Sequence, residues 1–129
     1  MKRSGILHPE IMHVLASTGH TDYILITDSG FPVPPEPKRI DLALVRNVPT
    51  VMEVMNAIHG EFSIDRIVIT EEMQSFSPDF ARELVDLLGS DVAVDVVTHV
   101  ELKRLGHDAK ATIRTGDTTL YANLLIVSG

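Results

Sequence analysis

The chain has 129 residues, 44% of them hydrophobic, with no cysteine and a formal net charge of −7. That composition supports a packed core and excludes disulfides, thiolate metal sites and a cysteine nucleophile. The acidic balance, with a pI near 5.2, argues against a basic nucleic-acid-binding face.

The opening Met1-Lys2-Arg3-Ser4 is basic, but His8, Pro9 and Glu10 follow where a signal peptide would turn apolar. No apolar run approaches the roughly 20 residues of a membrane span. A soluble cytoplasmic protein is expected, with one domain over residues 1–129.

Pro9 suits a first helical turn, and Ile11, Met12, Leu15 and Ala16 recur at helical spacing. Gly19 is placed to end that helix in a left-handed conformation. His20 then falls in a tight connection to the first strand, Tyr23-Ile24-Leu25-Ile26-Thr27, which is apolar and β-branched. Asp28-Ser29-Gly30 ends this strand in a turn, a common way for an α/β sheet to present a side chain to a ligand. Histidine titrates near neutrality and exchanges protons readily.

Four prolines lie within Pro32–Pro37, which excludes helix and interior strand and favours a stiff covering loop. The stretch also matches the PxxPxR pattern of ligands for proline-binding domains, but it lies between two ordered elements rather than in a free tail. Ile40–Val45 is short and apolar, so strand and helical turn both remain open. Thr50-Val51-Met52-Glu53 has capping-box spacing and opens a helix with Val51, Val54, Met55 and Ile58 on one face, closed by Gly60.

Arg66–Thr70 reads as the second clear strand and runs into Glu71-Glu72. Such a pair could do acid–base work or simply be a solvated face. Ser77-Pro78-Asp79 starts another helix, lined by Phe80, Leu84, Leu87 and Leu88 and ended by Gly89. Val92–Val97 is a strand, and Thr98-His99-Val100-Glu101 places His99 first in a short helix. There the positive helix end disfavours the imidazolium.

Ala111–Thr115 and Tyr121–Val127 complete the strands. In strand geometry Tyr121 and Asn123 share a face and offer sugar hydroxyls both donors and acceptors. Strands alternating with helices predict an α/β/α domain with a mostly parallel central sheet.

No HExxH, GxGxxG, GxxxxGK[ST] or GxSxG is present. What remains is histidine, carboxylate, tyrosine and asparagine, a set suited to proton transfer and hydroxyl recognition without a cofactor or metal.

Taken in order, Gly19-His20-Thr21-Asp22, Asp28–Pro34, Arg39–Leu44, Val48-Pro49, Glu71-Glu72, Thr98-His99, Ile113–Gly116 and Tyr121-Ala122-Asn123 resemble the D-ribose pyranase family, whose sibling branch is the fucose mutarotases. Gly30 and Arg39-Ile40-Asp41 look like the ribose branch, although Ser29 stands where alanine is usual. The resemblance implies interconversion of the pyranose and furanose forms of ribose without a cofactor. It implies His20 as the proton donor, with Asp28, His99, Tyr121, Ala122 and Asn123 binding the sugar. It also implies a decamer of two stacked pentamers. A fucose-type mutarotase and a non-catalytic sugar-binding subunit are the alternatives.

The spacing adds an expectation of its own. His20 and Asp28 flank the first strand, so extended backbone separates them by up to roughly 26 Å. One small sugar cannot touch both ends, so the site is expected between subunits, with His20 from one chain meeting Asp28 of a neighbour. If the Tyr121 strand runs parallel to the first, Tyr121 and Asn123 lie at the His20 end and His99 at the Asp28 end.

Overall fold

The computed structural model describes residues 1–129. In chain order they form α1 (Pro9–Ser17), β1 (Tyr23–Thr27), β2 (Lys38–Asp41), α2 (Val51–His59), β3 (Ile64–Thr70) and α3 (Glu71–Phe76). The chain continues with α4 (Pro78–Leu88), β4 (Ala93–Val97), α5 (His99–Gly106), β5 (Ala111–Arg114) and β6 (Leu124–Ser128). No helix is long and apolar enough to cross a membrane.

The strands form one mixed sheet in the order β2-β5-β1-β6-β3-β4. Parallel pairs join β1 to β5, β2 to β5 and β3 to β4. β6 lies between β1 and β3 and is antiparallel to both. Five strands therefore share one direction and β6 opposes them. The link from β5 to β6 is short and contains no helix, so β6 begins at the sheet end where β5 finishes. A parallel return would need a longer crossover.

Alternate side chains of the sheet feed two cores. Ile24, Ile26, Ile67, Ile69, Ile113 and Ile126 pack against α1, α2 and α4 and against Met73 of α3. On the opposite face Leu25, Val68, Leu125 and Val127 meet Leu102 and Leu105 of α5, with Phe31 from the loop after β1. Helices thus cover both faces, one heavily and one by a single helix.

Local signals explain most boundaries. Thr50 and Glu53 form a reciprocal capping box at the start of α2. The hydroxyl of Thr98 accepts from Glu101 N at 3.1 Å and starts α5. Gly89 ends α4 with φ +81°, a conformation that glycine adopts without strain.

Several expectations are corrected, and readings left open are decided. Gly19 is not left-handed; the turn into β1 closes with Asp22 N donating to Gly19 O, and Thr21 takes the positive φ of 71°. Ile40–Val45 is strand only as far as Asp41. Glu71-Glu72 begin a helix that the hydroxyl of Thr70 caps by accepting from Met73 N. Ser77 does not cap α4 with its side chain; its Oγ donates to Leu120 O at 2.6 Å.

Tyr121-Ala122-Asn123 lies outside β6. Tyr121 has φ 57°, and Ala122 N donates to Thr119 O, so this segment is a turn.

Leu84 is fully buried beneath α4, whereas Val96 on the edge strand β4 is 42% exposed. Leu84→Ala is expected to lower unfolding free energy by about 2–5 kcal/mol. Val96→Ala should change it by about 0.5 kcal/mol or less in the same urea titration.

Candidate active site

The carboxyl ends of β1, β4 and β5 and the start of β6 meet at one edge of the sheet. Open α/β sheets bind ligands at this end of their strands. Here lies a cavity of about 410 Å³, lined by Asp28–Pro32, His99, Lys103, Asp117–Tyr121 and Asn123. That volume is within the usual range for small-molecule sites.

Asp28 and Asn123 are joined twice. Asp28 N donates to Asn123 Oδ1 at 2.8 Å, and Asn123 Nδ2 donates to Asp28 Oδ2 at 3.2 Å. Gly30 N donates to Asp28 Oδ1 at 3.0 Å, closing the turn after β1. Burial pushes the Asp28 carboxyl above the ordinary carboxylate value, opposed by the bonds from Asn123, Gly30 and Phe31; the nearby Asp117 charge adds to the rise. Each carboxylate oxygen keeps acceptor capacity beyond these bonds.

His99 is the first residue of α5, and its N–H donates to both oxygens of Glu72 at 3.1 and 3.2 Å. The ring is clamped edge-on between Phe31 and Tyr121, with centroid separations of 5.7 and 5.1 Å. Its Nδ1 is buried without a partner, so Nε2 is the nitrogen available to a ligand. Burial and then the Lys103 charge hold the imidazole below its ordinary pKa; Glu72 and Asp28 pull the other way. A neutral ring results at neutral pH.

The left-handed backbone at Tyr121 turns its phenol ring against His99 and Phe76. Ala122 points the other way. It is fully buried in the larger core and does not line the cavity.

Because β6 is antiparallel to β1, Tyr121 and Asn123 sit at the Asp28 end of the sheet, not at the His20 end. Asp28, His99, Tyr121 and Asn123 are therefore brought together. His20 is not among them. It is exposed in the turn before β1, beside the far end of β6, where Thr21 N donates to Ser128 O. The five residues of β1 alone span about 16 Å.

Lys103, Phe31 and Asp117 are among the cavity residues that were not named as site residues from the sequence. Lys103 follows His99 by four positions, one helical turn on the same face, and that spacing was a usable signal. Phe31 and Asp117 lie in turns whose partners are distant in sequence, so no local pattern exposes them. No three His, Asp or Glu side chains converge where they could share a metal ion.

The signs of these shifts predict a titration. Folded His99 binds its proton less tightly than in the unfolded chain. The stability this contributes is present above about pH 6.5 and is lost as pH falls through the lower folded value. NMR titration of the His99 ring should give a midpoint below that of an ordinary histidine. Lys103→Gln should raise the midpoint, and an unmoved one would contradict the assigned cause.

The whole chain, residues 1–129, matches the family model described as "RbsD / FucU transport protein family". A D-ribose pyranase from Geobacillus thermodenitrificans is 45% identical over 129 residues, covering 100% of this chain and 97% of the relative. One from Clostridium tetani is 42% identical, covering 100% and 98%. The structure of Bacillus subtilis RbsD complexed with D-ribose superposes with a TM-score of 0.95 at 36% identity, covering 100% of this chain and 98% of that one. A fucose mutarotase from Streptococcus pneumoniae in complex with L-fucose shares the fold, with a TM-score of 0.77 at 19% identity, covering 95% and 93%. With a full-length family match and relatives this similar, the chain belongs to the RbsD / FucU family.

Proposed function

We propose that this protein is a D-ribose pyranase, an isomerase that interconverts the β-pyranose and β-furanose forms of D-ribose without a cofactor. The observation that carries this is the convergence of Asp28, Asn123, His99 and Tyr121 on one cavity. Full-length relatives named D-ribose pyranase support the choice of sugar and reaction.

The chemistry is proton transfer. Protonating the ring oxygen while the anomeric hydroxyl loses its proton breaks the bond between the anomeric carbon and that oxygen. The open aldehyde then rotates, and a different hydroxyl attacks the carbonyl to close the other ring. One proton is given and one recovered in each direction, so nothing is consumed.

In this site the Asp28 carboxylate accepts from sugar hydroxyls, and neutral His99 presents Nε2. Tyr121 and Asn123 complete the polar lining. His20 supplies the proton.

His20 and the cavity lie at opposite ends of β1, so a complete site takes the cavity of one subunit and His20 of a neighbour. A ring of like subunits provides that arrangement, since a head-to-tail interface closes when its rotation does. We place the protein in the cytoplasm as a homodecamer, with one ribose-pyranase-like unit over residues 1–129.

NMR saturation transfer on equilibrated D-ribose tests the function. The protein should accelerate exchange between pyranose and furanose signals, and His20→Ala should reduce that acceleration by roughly 10²–10⁴-fold while ribose still binds. Exchange of fucose anomers without ribose exchange would identify a mutarotase instead. Binding without any exchange would identify a sugar-binding subunit. The rate per chain should also collapse on dilution as subunits separate, measured beside sedimentation.

A further inference from the structure

Asp117 is a carboxylate only 3% exposed, and ionisable side chains are rarely buried this far without partners. Its partners are backbone N–H groups. Oδ2 accepts from Val51 N, the first residue of α2, at 2.9 Å. Oδ1 accepts from Thr119 N at 2.8 Å. The positive end of α2 favours a negative charge there.

The Asp117 backbone is engaged as well. Its carbonyl accepts from Ser29 N at 2.9 Å, and its N–H donates to Thr115 Oγ1 at 3.1 Å. The Thr115 hydroxyl donates in turn to Thr27 O at 2.7 Å. One residue therefore ties together the end of β1, the segment leading to Tyr121 and Asn123, and the start of α2.

We propose that Asp117 is a positioning residue for the reaction, locking the Asp28–Ser29 turn and the Thr119–Asn123 segment onto α2 so that the Asp28–Asn123 pair keeps its geometry. This rests on the function proposed above. Misplacing reacting groups by about 1 Å can lower rates by about 10²-fold, so a fixed junction behind the pair matters.

The junction also acts on Asp28 through charge. The groups facing Asp28 are Asn123 and the N–H groups of Gly30 and Phe31, the His99 ring from α5, and Asp117 behind it. Lys103 lines the same cavity. Of these, Asp117 is the neighbour of like charge, and it raises the pH at which Asp28 ionises. Neutralising it lowers that pH.

The test is the pH dependence of ribose exchange in the full-length protein, with Asp117→Asn and Asp117→Glu beside wild type. Asparagine removes the charge and sets an amide against one of the two N–H donors. Asp117→Asn is expected to lower kcat roughly 10- to 100-fold, to raise KM less, and to move the acid limb to lower pH. Asp117→Glu keeps the charge on a longer arm; it should lower kcat with the acid limb at the wild-type position.

Wild-type kcat in Asp117→Asn, or a loss that only follows the folded fraction with the acid limb unmoved, would overturn the proposal. If Asp117→Asn fails to fold, Asp117→Glu decides alone: reduced kcat at unchanged folded fraction supports the role, and wild-type kcat removes it. If wild-type protein leaves ribose exchange unaccelerated, the proposed function fails, a result separate from either outcome for Asp117.

Discussion

The antiparallel insertion of β6 between β1 and β3 is the constraint on which the site depends. A short link from β5 leaves β6 no course but to start at the carboxyl ends of the parallel strands. Asn123, just ahead of β6, therefore meets Asp28, just beyond β1, and each completes the other's hydrogen bonds. His99 reaches the same edge from the carboxyl end of β4. Had β6 been parallel, Tyr121 and Asn123 would lie with His20, and the Asp28 cavity would lack half its polar wall.

Much of this was legible in the sequence, because local physical chemistry decides it. The capping pattern at Thr50–Glu53, the apolar run of β1 and the placement of His99 at the start of α5 depend on neighbours a few residues away. The direction of β6 was not legible, since an apolar run looks the same in either sense. Nor was the turn at Tyr121. A bulky residue at φ 57° is disfavoured in isolation, and here the rings of His99 and Phe76 and the hydrogen bond from Ala122 N to Thr119 O hold it. The part played by Asp117 was not legible either, because its partners Val51 and Ser29 are far away along the chain.

The electrostatics fit proton transfer without a cofactor. Burial drives Asp28 and His99 toward each other in acidity, one raised and one lowered. The imidazole is neutral at neutral pH, so the cavity sets an uncharged ring beside a carboxyl group whose ionised form burial disfavours. Half-burying the Asp28 carboxyl group works against folding stability, a common feature of functional groups. The hydrogen bonds from Asn123 and Gly30 limit that cost. His20 does not line the cavity; it is exposed at the other end of β1.

Subunit mixing tests this division most directly. His20→Ala and Asp28→Ala variants are each expected to be inactive in ribose exchange. After they are unfolded together and reassembled, a site formed by an intact cavity from one chain and an intact His20 from its neighbour should recover function. Random assembly in equal amounts predicts that about one site in four regains activity. Mixtures that stay as inactive as their components, while assembling normally, would contradict a site shared between subunits.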